Sequence, residues 1–287
     1  MEKVLITGAF GQLGRSLISL LEGTGTEVAS TDSDTLDICD YNQVQEFVSA
    51  HKPDTIINCA AYTAVDKCET DALNAERVNA KGPENLAVAA AREGAQIVQV
   101  STDYVFDGMA KVPYTEEDKT NPQSVYGRTK LEGEKAVIKN CDKYFIVRTA
   151  WLYGEGSNFV RTMLKLADER DKLTVVNDQY GTHTSSLELA RMILNIIPYR
   201  QYGIYHGTCE GSTNWYEFAC EIMKQAGKDI EVLPVTTDEY QAGKNIAARP
   251  AYSVLENKKL NSMGSYRMKE WKEALTEYMH MMGYSRV

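Results

Sequence analysis

A chain of 287 residues has room for about two domains of ordinary size and can bury a substantial core without disulfide staples. Its 43% apolar and 25% charged residues exclude a collagen-like, low-complexity or largely disordered chain. The formal charge of −9, from 31 basic against 40 acidic side chains, repels polyanions and speaks against nucleic-acid binding, so an anionic ligand needs a local pocket.

The first apolar run, Val4-Leu5-Ile6, reads as a buried strand, and helical period follows over 12–22. Val28-Ala29 precedes a helix over 42–51, Thr55-Ile56-Ile57 one over 72–92, and Ile97-Val98-Gln99-Val100 one over 125–140, with Phe145-Ile146-Val147 as a fifth strand. Short buried strands separated by helices long enough to cross over predict a doubly wound parallel sheet of Rossmann type, an α/β fold. Beyond residue 150 the rhythm loosens into helices at 158–170, 186–197, Trp215 to Gln225 and Met268 to Met279, and strands at 173–176, Gly203 to Gly207 and Ile230 to Leu233. We therefore expect a domain over 1–150, with some later segments returning to it, and a smaller α/β lobe over 151–287. No Pro-, Gly- or Ser-rich linker parts the halves, so the lobe should pack tightly and leave a cleft between.

The six cysteines are scattered without a C-x-x-C pair and the four histidines are isolated, which predicts free thiols and no structural zinc. Residue 1 leads almost directly into the first strand, and apolar stretches such as Leu86 to Ala91 fall far short of the roughly 18 residues that cross a bilayer. The expectation is a cytoplasmic protein with no membrane partner.

Thr7-Gly8-Ala9-Phe10-Gly11-Gln12-Leu13-Gly14 lies between the first strand and the first helix, the placement a dinucleotide fingerprint needs. Taken alone, G-x-x-G-x-x-G is an ordinary turn signal; the placement gives it meaning. Glycine frees the chain to turn tightly, to approach a pyrophosphate and to pack helix on strand. Asp32 ends the second strand, about 20 residues further on, where a carboxylate accepts hydrogen bonds from ribose hydroxyls. Asp37 and Ile38 can flank the adenine. The first 150 residues thus read as a dinucleotide-binding domain.

Tyr126 and Lys130 stand four residues apart and share a helix face. A tyrosine titrates near pH 10 when free, at about that value, and a neighbouring cation should stabilise its phenolate and bring it nearer neutrality. Ser101-Thr102-Asp103 ends the fourth strand, where open α/β sheets bind their ligands, so Thr102 is placed to bond a substrate carbonyl. Thr102, Tyr126 and Lys130 are the candidate catalytic set.

Further stretches carry a resemblance. They are Asn58-Cys59-Ala60-Ala61-Tyr62-Thr63-Ala64-Val65-Asp66, Ser101-Thr102-Asp103-Tyr104-Val105-Phe106-Asp107-Gly108, Asn121-Pro122-Gln123-Ser124-Val125-Tyr126-Gly127, Asn177-Asp178-Gln179-Tyr180-Gly181-Thr182 and Arg249-Pro250. Together they resemble the extended short-chain dehydrogenase/reductase superfamily and, within it, the dTDP-4-dehydrorhamnose reductase family, over nearly the full length. The resemblance implies reduction of the C4 ketone of a dTDP-4-dehydro-6-deoxy-hexose by NADPH or NADH, the last step toward dTDP-L-rhamnose for bacterial surface polysaccharide. It carries cofactor contacts to Gly11, Gln12, Leu13, Asp32, Asp37, Ile38, Ala61, Tyr62, Thr63, Tyr126 and Lys130, beside Gly8 and Gly14 of the turn. Sugar contacts fall on Val65, Thr102, Asp103, Tyr126 and Trp151. Arg249 is the candidate for the substrate's phosphates, because a guanidinium binds them bidentately.

Two positions depart from the pattern. His183 stands where many relatives carry proline and is given no role. Relatives that bind Mg2+ do so through carboxylates at a subunit interface, one of them in the first helix, where Arg15 and Ser16 stand here; this counts against a magnesium requirement. A homodimer is expected. The alternatives are an NAD-dependent nucleotide-sugar epimerase or dehydratase, and a non-catalytic dinucleotide-binding regulatory subunit, the latter having no need of a proton donor.

Overall fold

The computed structural model describes residues 2–242 and 247–284. Six parallel strands, β1 (Lys3–Thr7), β2 (Glu27–Thr31), β3 (Thr55–Asn58), β4 (Gln96–Thr102), β5 (Tyr144–Thr149) and β6 (Gly203–His206), form one sheet in the order β2-β1-β3-β4-β5-β6. The apolar runs are continuous because both faces are covered. Val4 and Ile6 of β1 pack with Leu17, Phe145 and Ile193 on one side, while Leu5 between them packs with Val44, Ile56 and Leu86 on the other.

Helices follow the expected periods: α1 (Gln12–Leu21), α2 (Tyr41–His51), α3 (Gly82–Glu93), α4 (Val125–Asn140), α5 (Phe159–Glu169), α6 (Ser186–Ile196), α7 (Trp215–Ala226) and α8 (Trp271–Met281). The helix expected over 72–92 differs. It runs as a short helix, Ala72–Glu76, then a π-helical turn, Arg77–Lys81, then α3. The cause lies at Asn79, whose buried amide accepts from the Tyr62 N–H at 2.9 Å and donates to the Tyr62 carbonyl at 3.1 Å and to Thr129 Oγ1 at 3.2 Å. Such turns often mark functional sites, and this one clamps a wall of the cleft described below.

Past residue 150 a second core gathers Tyr153, Val160, Phe218, Ile222, Trp271 and Leu275, beside a parallel pair of strands, Lys172–Val176 and Glu231–Val235. The chain is interwoven rather than cut at one point. Strand β6 returns to the edge of the main sheet against β5, and Leu189 and Ile193 of α6 pack with Leu13 and Leu17 of α1. Among the described residues no helix is long and apolar enough to cross a membrane.

Candidate active site

Strand order reverses between β1 and β3, and ligands of open α/β sheets bind at such a point, outside the carboxyl ends of the strands. Here those ends are tied together: Thr7 Oγ1 donates to Asn58 Oδ1 at 2.6 Å, and Asn58 Nδ2 to Gln99 Oε1 at 2.6 Å. Directly beyond, Gly8 takes φ +63°, and a Cβ there would lie 2.6 Å from the Ala60 nitrogen. Gly11 caps α1 with no side chain to bond the helix's first amides, which leaves that helix start to an anion. A Cβ on Gly14 would meet the Gly8 and Ala9 carbonyl oxygens at 2.5 Å, so only glycine lets α1 fold back on the turn. Asp32 follows β2, its carboxylate held by the Phe10 N–H at 3.3 Å and the Ser33 N–H at 2.8 Å. These features fit a dinucleotide: a glycine cradle, an uncapped helix start and a carboxylate beside it.

The opposite wall is built by α4 and the end of β4. Ser124 Oγ caps α4 by accepting from the Gly127 N–H at 3.1 Å. A Cβ at Gly127 would stand 2.2 Å from the Tyr104 carbonyl oxygen, so the first turn of α4 lies directly on the segment after β4. That contact brings the Tyr126 phenol within reach of the Thr102 hydroxyl. Thr102 Oγ1 donates to Asp103 Oδ1 at 2.9 Å and accepts from the Tyr104 N–H at 3.2 Å, so it ends the strand and faces the cleft at once.

The cleft between the two walls measures about 1070 Å³. Of the residues singled out from sequence, Gly8, Gly11, Gln12, Leu13, Asp32, Asp37, Ile38, Ala61, Tyr62, Thr63, Val65, Thr102, Asp103, Tyr126, Lys130, Trp151 and Arg249 all line it; Gly14 sits behind the turn. The sequence reading missed Tyr104, Thr149, Phe159, Gln179 and Trp215, which line it too. Trp215 stacks on Trp151 with centroids 4.3 Å apart, making an aromatic wall that only the folded second lobe creates.

Two expectations meet a different geometry. Lys130 Nζ donates to the Val100 carbonyl at 2.6 Å, and the Tyr126 phenol is pushed above its usual range, not toward neutrality. Burial is the largest cause, with the charges of Asp103 and Tyr104 acting in the same direction and the Thr102 side chain opposing them. Burial also brings Lys130 down to about 8, against the pull of Glu134. Arg249, in turn, is already engaged: its Nη2 meets both oxygens of Asp66, at 3.0 and 3.2 Å. Asp103 is raised to about 6 by burial, eased by the hydroxyls of Ser253 and Thr102.

Fold and cleft define the class: a dinucleotide-binding protein built on a doubly wound sheet. Residues 1–283 match the family described as "RmlD substrate binding domain", and the chain belongs to that family. It is similar to a dTDP-4-dehydrorhamnose reductase from Clostridium acetobutylicum, with a TM-score of 0.95 and 52% identity over 98% of this chain and 99% of that one. The dTDP-4-dehydrorhamnose reductase of Bacillus anthracis, solved in complex with NADP, gives a TM-score of 0.94 and 42% identity over 98% and 99%. The spore coat polysaccharide biosynthesis protein SpsK of Bacillus subtilis is 41% identical over 97% of each chain.

Proposed function

We propose that this protein reduces the C4 ketone of dTDP-4-dehydro-6-deoxy-L-mannose to dTDP-L-rhamnose, with Tyr126 as proton donor. The observation that carries the reading is the meeting, in one cleft, of the glycine turn on one wall and the Tyr126 and Thr102 hydroxyls on the other. A reduced nicotinamide, when bound, supplies the hydride to the sugar C4. Tyr126 gives its proton to the carbonyl oxygen; a phenol held above its usual range is fully protonated at neutral pH, which is the state an acid in this direction needs. Thr102 steadies the same oxygen and the phenolate left behind. Lys130, released from Val100 or shared with it, reaches the cofactor ribose and offsets the phenolate's charge. Gly8, Gly11, Gln12, Leu13, Ala61, Tyr62 and Thr63 hold the dinucleotide, with Asp32 on the adenosine ribose and Asp37 and Ile38 at the adenine edge. Val65, Asp103 and Trp151 face the sugar, and Arg249 takes the substrate's phosphates by exchanging Asp66 for them.

The six cysteines, all free thiols, support a cytoplasmic setting; the expected homodimer is decided by sedimentation. The test of function supplies the enzymatically made dTDP-4-keto-6-deoxy-L-sugar with each reduced cofactor, follows the absorbance loss and identifies the product. One cofactor oxidised per sugar is expected, and turnover without net oxidation would point to an epimerase instead. Tyr126→Phe should lower turnover by about 10²- to 10⁴-fold with cofactor binding kept. Wild-type turnover in that variant would remove the phenol from the mechanism.

A further inference from the structure

His183 sits behind the sugar side of the cleft and has no part in the chemistry above. It is 1% exposed, and neither ring nitrogen has a hydrogen-bond partner. Burying a polar ring unpaired costs free energy that an apolar side chain of similar size would not, so its surroundings need an account.

The imidazole lies flat on Phe218, centroids 3.5 Å apart and planes at 11°. It meets Trp151 and Trp215 at 4.6 Å each, steeply inclined at 64° and 88°. Those two indoles stack on each other at 4.3 Å and 25°. Three nearly equal separations make a triangle, so the imidazole does not extend the stack but lies beside it and touches both rings. Its plate is backed in turn by the second core through Phe218.

Trp151 needs such a support. Its backbone takes φ +47°, a left-handed conformation unfavourable for a bulky residue and persisting only where surroundings over-determine it. Gly181 leaves the indole its space, since a Cβ there would stand 2.7 Å from the ring. Both indoles line the cleft, as does Phe159, which meets Trp215 at 4.7 Å.

We propose that His183 is a positioning residue: its planar ring locks the Trp151–Trp215 pair into one orientation and thereby sets the affinity of the cleft for the sugar nucleotide. The proposal rests on the reading of this cleft as a dTDP-sugar site. Burial keeps the ring well below its usual titration range, consistent with a neutral plate rather than an acid or base.

The test compares His183→Phe, which keeps a flat ring, with His183→Leu, which fills the space without one. Two stacked indoles give an exciton couplet in far-ultraviolet circular dichroism, read without any ligand. The Phe variant should keep that couplet and hold KM for the dTDP-4-keto-sugar within about twofold of wild type. The Leu variant should lose the couplet and raise that KM about tenfold, with kcat and the KM for NADH changed less than about twofold. Equal couplets and equal sugar KM in the two variants would overturn the proposal, as would a parallel rise in the KM for NADH, which marks general loosening. Absence of turnover in the wild-type enzyme would defeat the functional reading alone. The couplet comparison would still decide the role of His183.

Discussion

Replacing Asp103 by asparagine should stabilise the protein at neutral pH and leave it little changed near pH 4, at about the carboxyl's ordinary value. The side chain is 2% exposed; Oδ1 accepts from Thr102 at 2.9 Å, whereas Oδ2 has no bonded partner, Ser253 lying near enough to ease its charge but not to bond it. Burial raises the group from 3.8 to about 6. Below the ordinary value both folded and unfolded chains carry the proton, and nothing is lost. As pH rises from there to about 6, the unfolded chain ionises first and stability falls; above about 6 the cost is fully present. At about 1.4 kcal/mol per tenfold, that displacement amounts to about 3 kcal/mol. Asparagine keeps the acceptor for Thr102 and never ionises, so the cost disappears. Thermal melts of both proteins from pH 4 to 7 should therefore diverge steadily to a gap of roughly 5 to 10 °C in favour of the variant. A gap that is constant across this range, or one that favours the wild type at neutral pH, would refute the account of a carboxylate strained by burial.

Other expectations concern Glu134, Asp66 and Asp32. Glu134 of α4 and Arg148 of β5 are 1% and 3% exposed and paired through two bonds of 2.9 and 2.7 Å. Glu134→Ala should cost about 3–5 kcal/mol in urea denaturation, while Glu134→Leu with Arg148→Met costs far less; equal losses would mean that no charge is stranded. Asp66→Asn keeps an acceptor for the Ala247 N–H but releases Arg249, so KM for the dTDP-sugar should fall by about two- to fivefold, and an unchanged KM would deny that Asp66 competes with the substrate's phosphates. Asp32→Ala should raise KM for NADH by about tenfold and leave that for NADPH lower or unchanged; parallel rises would separate Asp32 from ribose recognition.

Much of this architecture is written locally in the chain. Val4-Leu5-Ile6 reads as a strand because both its faces are buried, and Gly8, Gly11 and Gly14 mark the turn because a Cβ at each position, save the milder contact at Gly11, would strike backbone. Helical spacing puts Tyr126 and Lys130 on one face, and Ser101-Thr102-Asp103 at the end of the fourth strand gives that pair its meaning. What escapes a local reading depends on distant partners. The Val100 carbonyl that holds Lys130 carries no side-chain signal, and Asp66 lies 183 residues from Arg249. Trp215 looks like the first residue of an amphipathic helix, and only the docking of α7 onto Trp151 turns it toward the cleft. The expected helix over 72–92 is present, and its interruption has the same reason: the π-helical turn answers Tyr62 and Thr129, which its own sequence does not mention.

The net charge of −9 poses the last question, since both proposed ligands carry diphosphates. The cations around the cleft do not stand idle. Arg249 meets Asp66, Arg77 meets Asp37 at 2.8 Å, Arg15 meets Glu155 at 3.2 Å and Lys130 holds a carbonyl. A phosphate that claims one of these must displace the present partner, so the gain is a difference between two bonds rather than the whole of one. The start of α1 is the exception: Gly11 offers amide dipoles with no side-chain cap to displace, and dipoles attract an anion without adding charge to the fold. Cofactor binding through that helix start is then compatible with an acidic protein, whereas on the proposed reading the sugar nucleotide would be admitted by exchange at Arg249. The two ligands accordingly depend on different physics within one cleft.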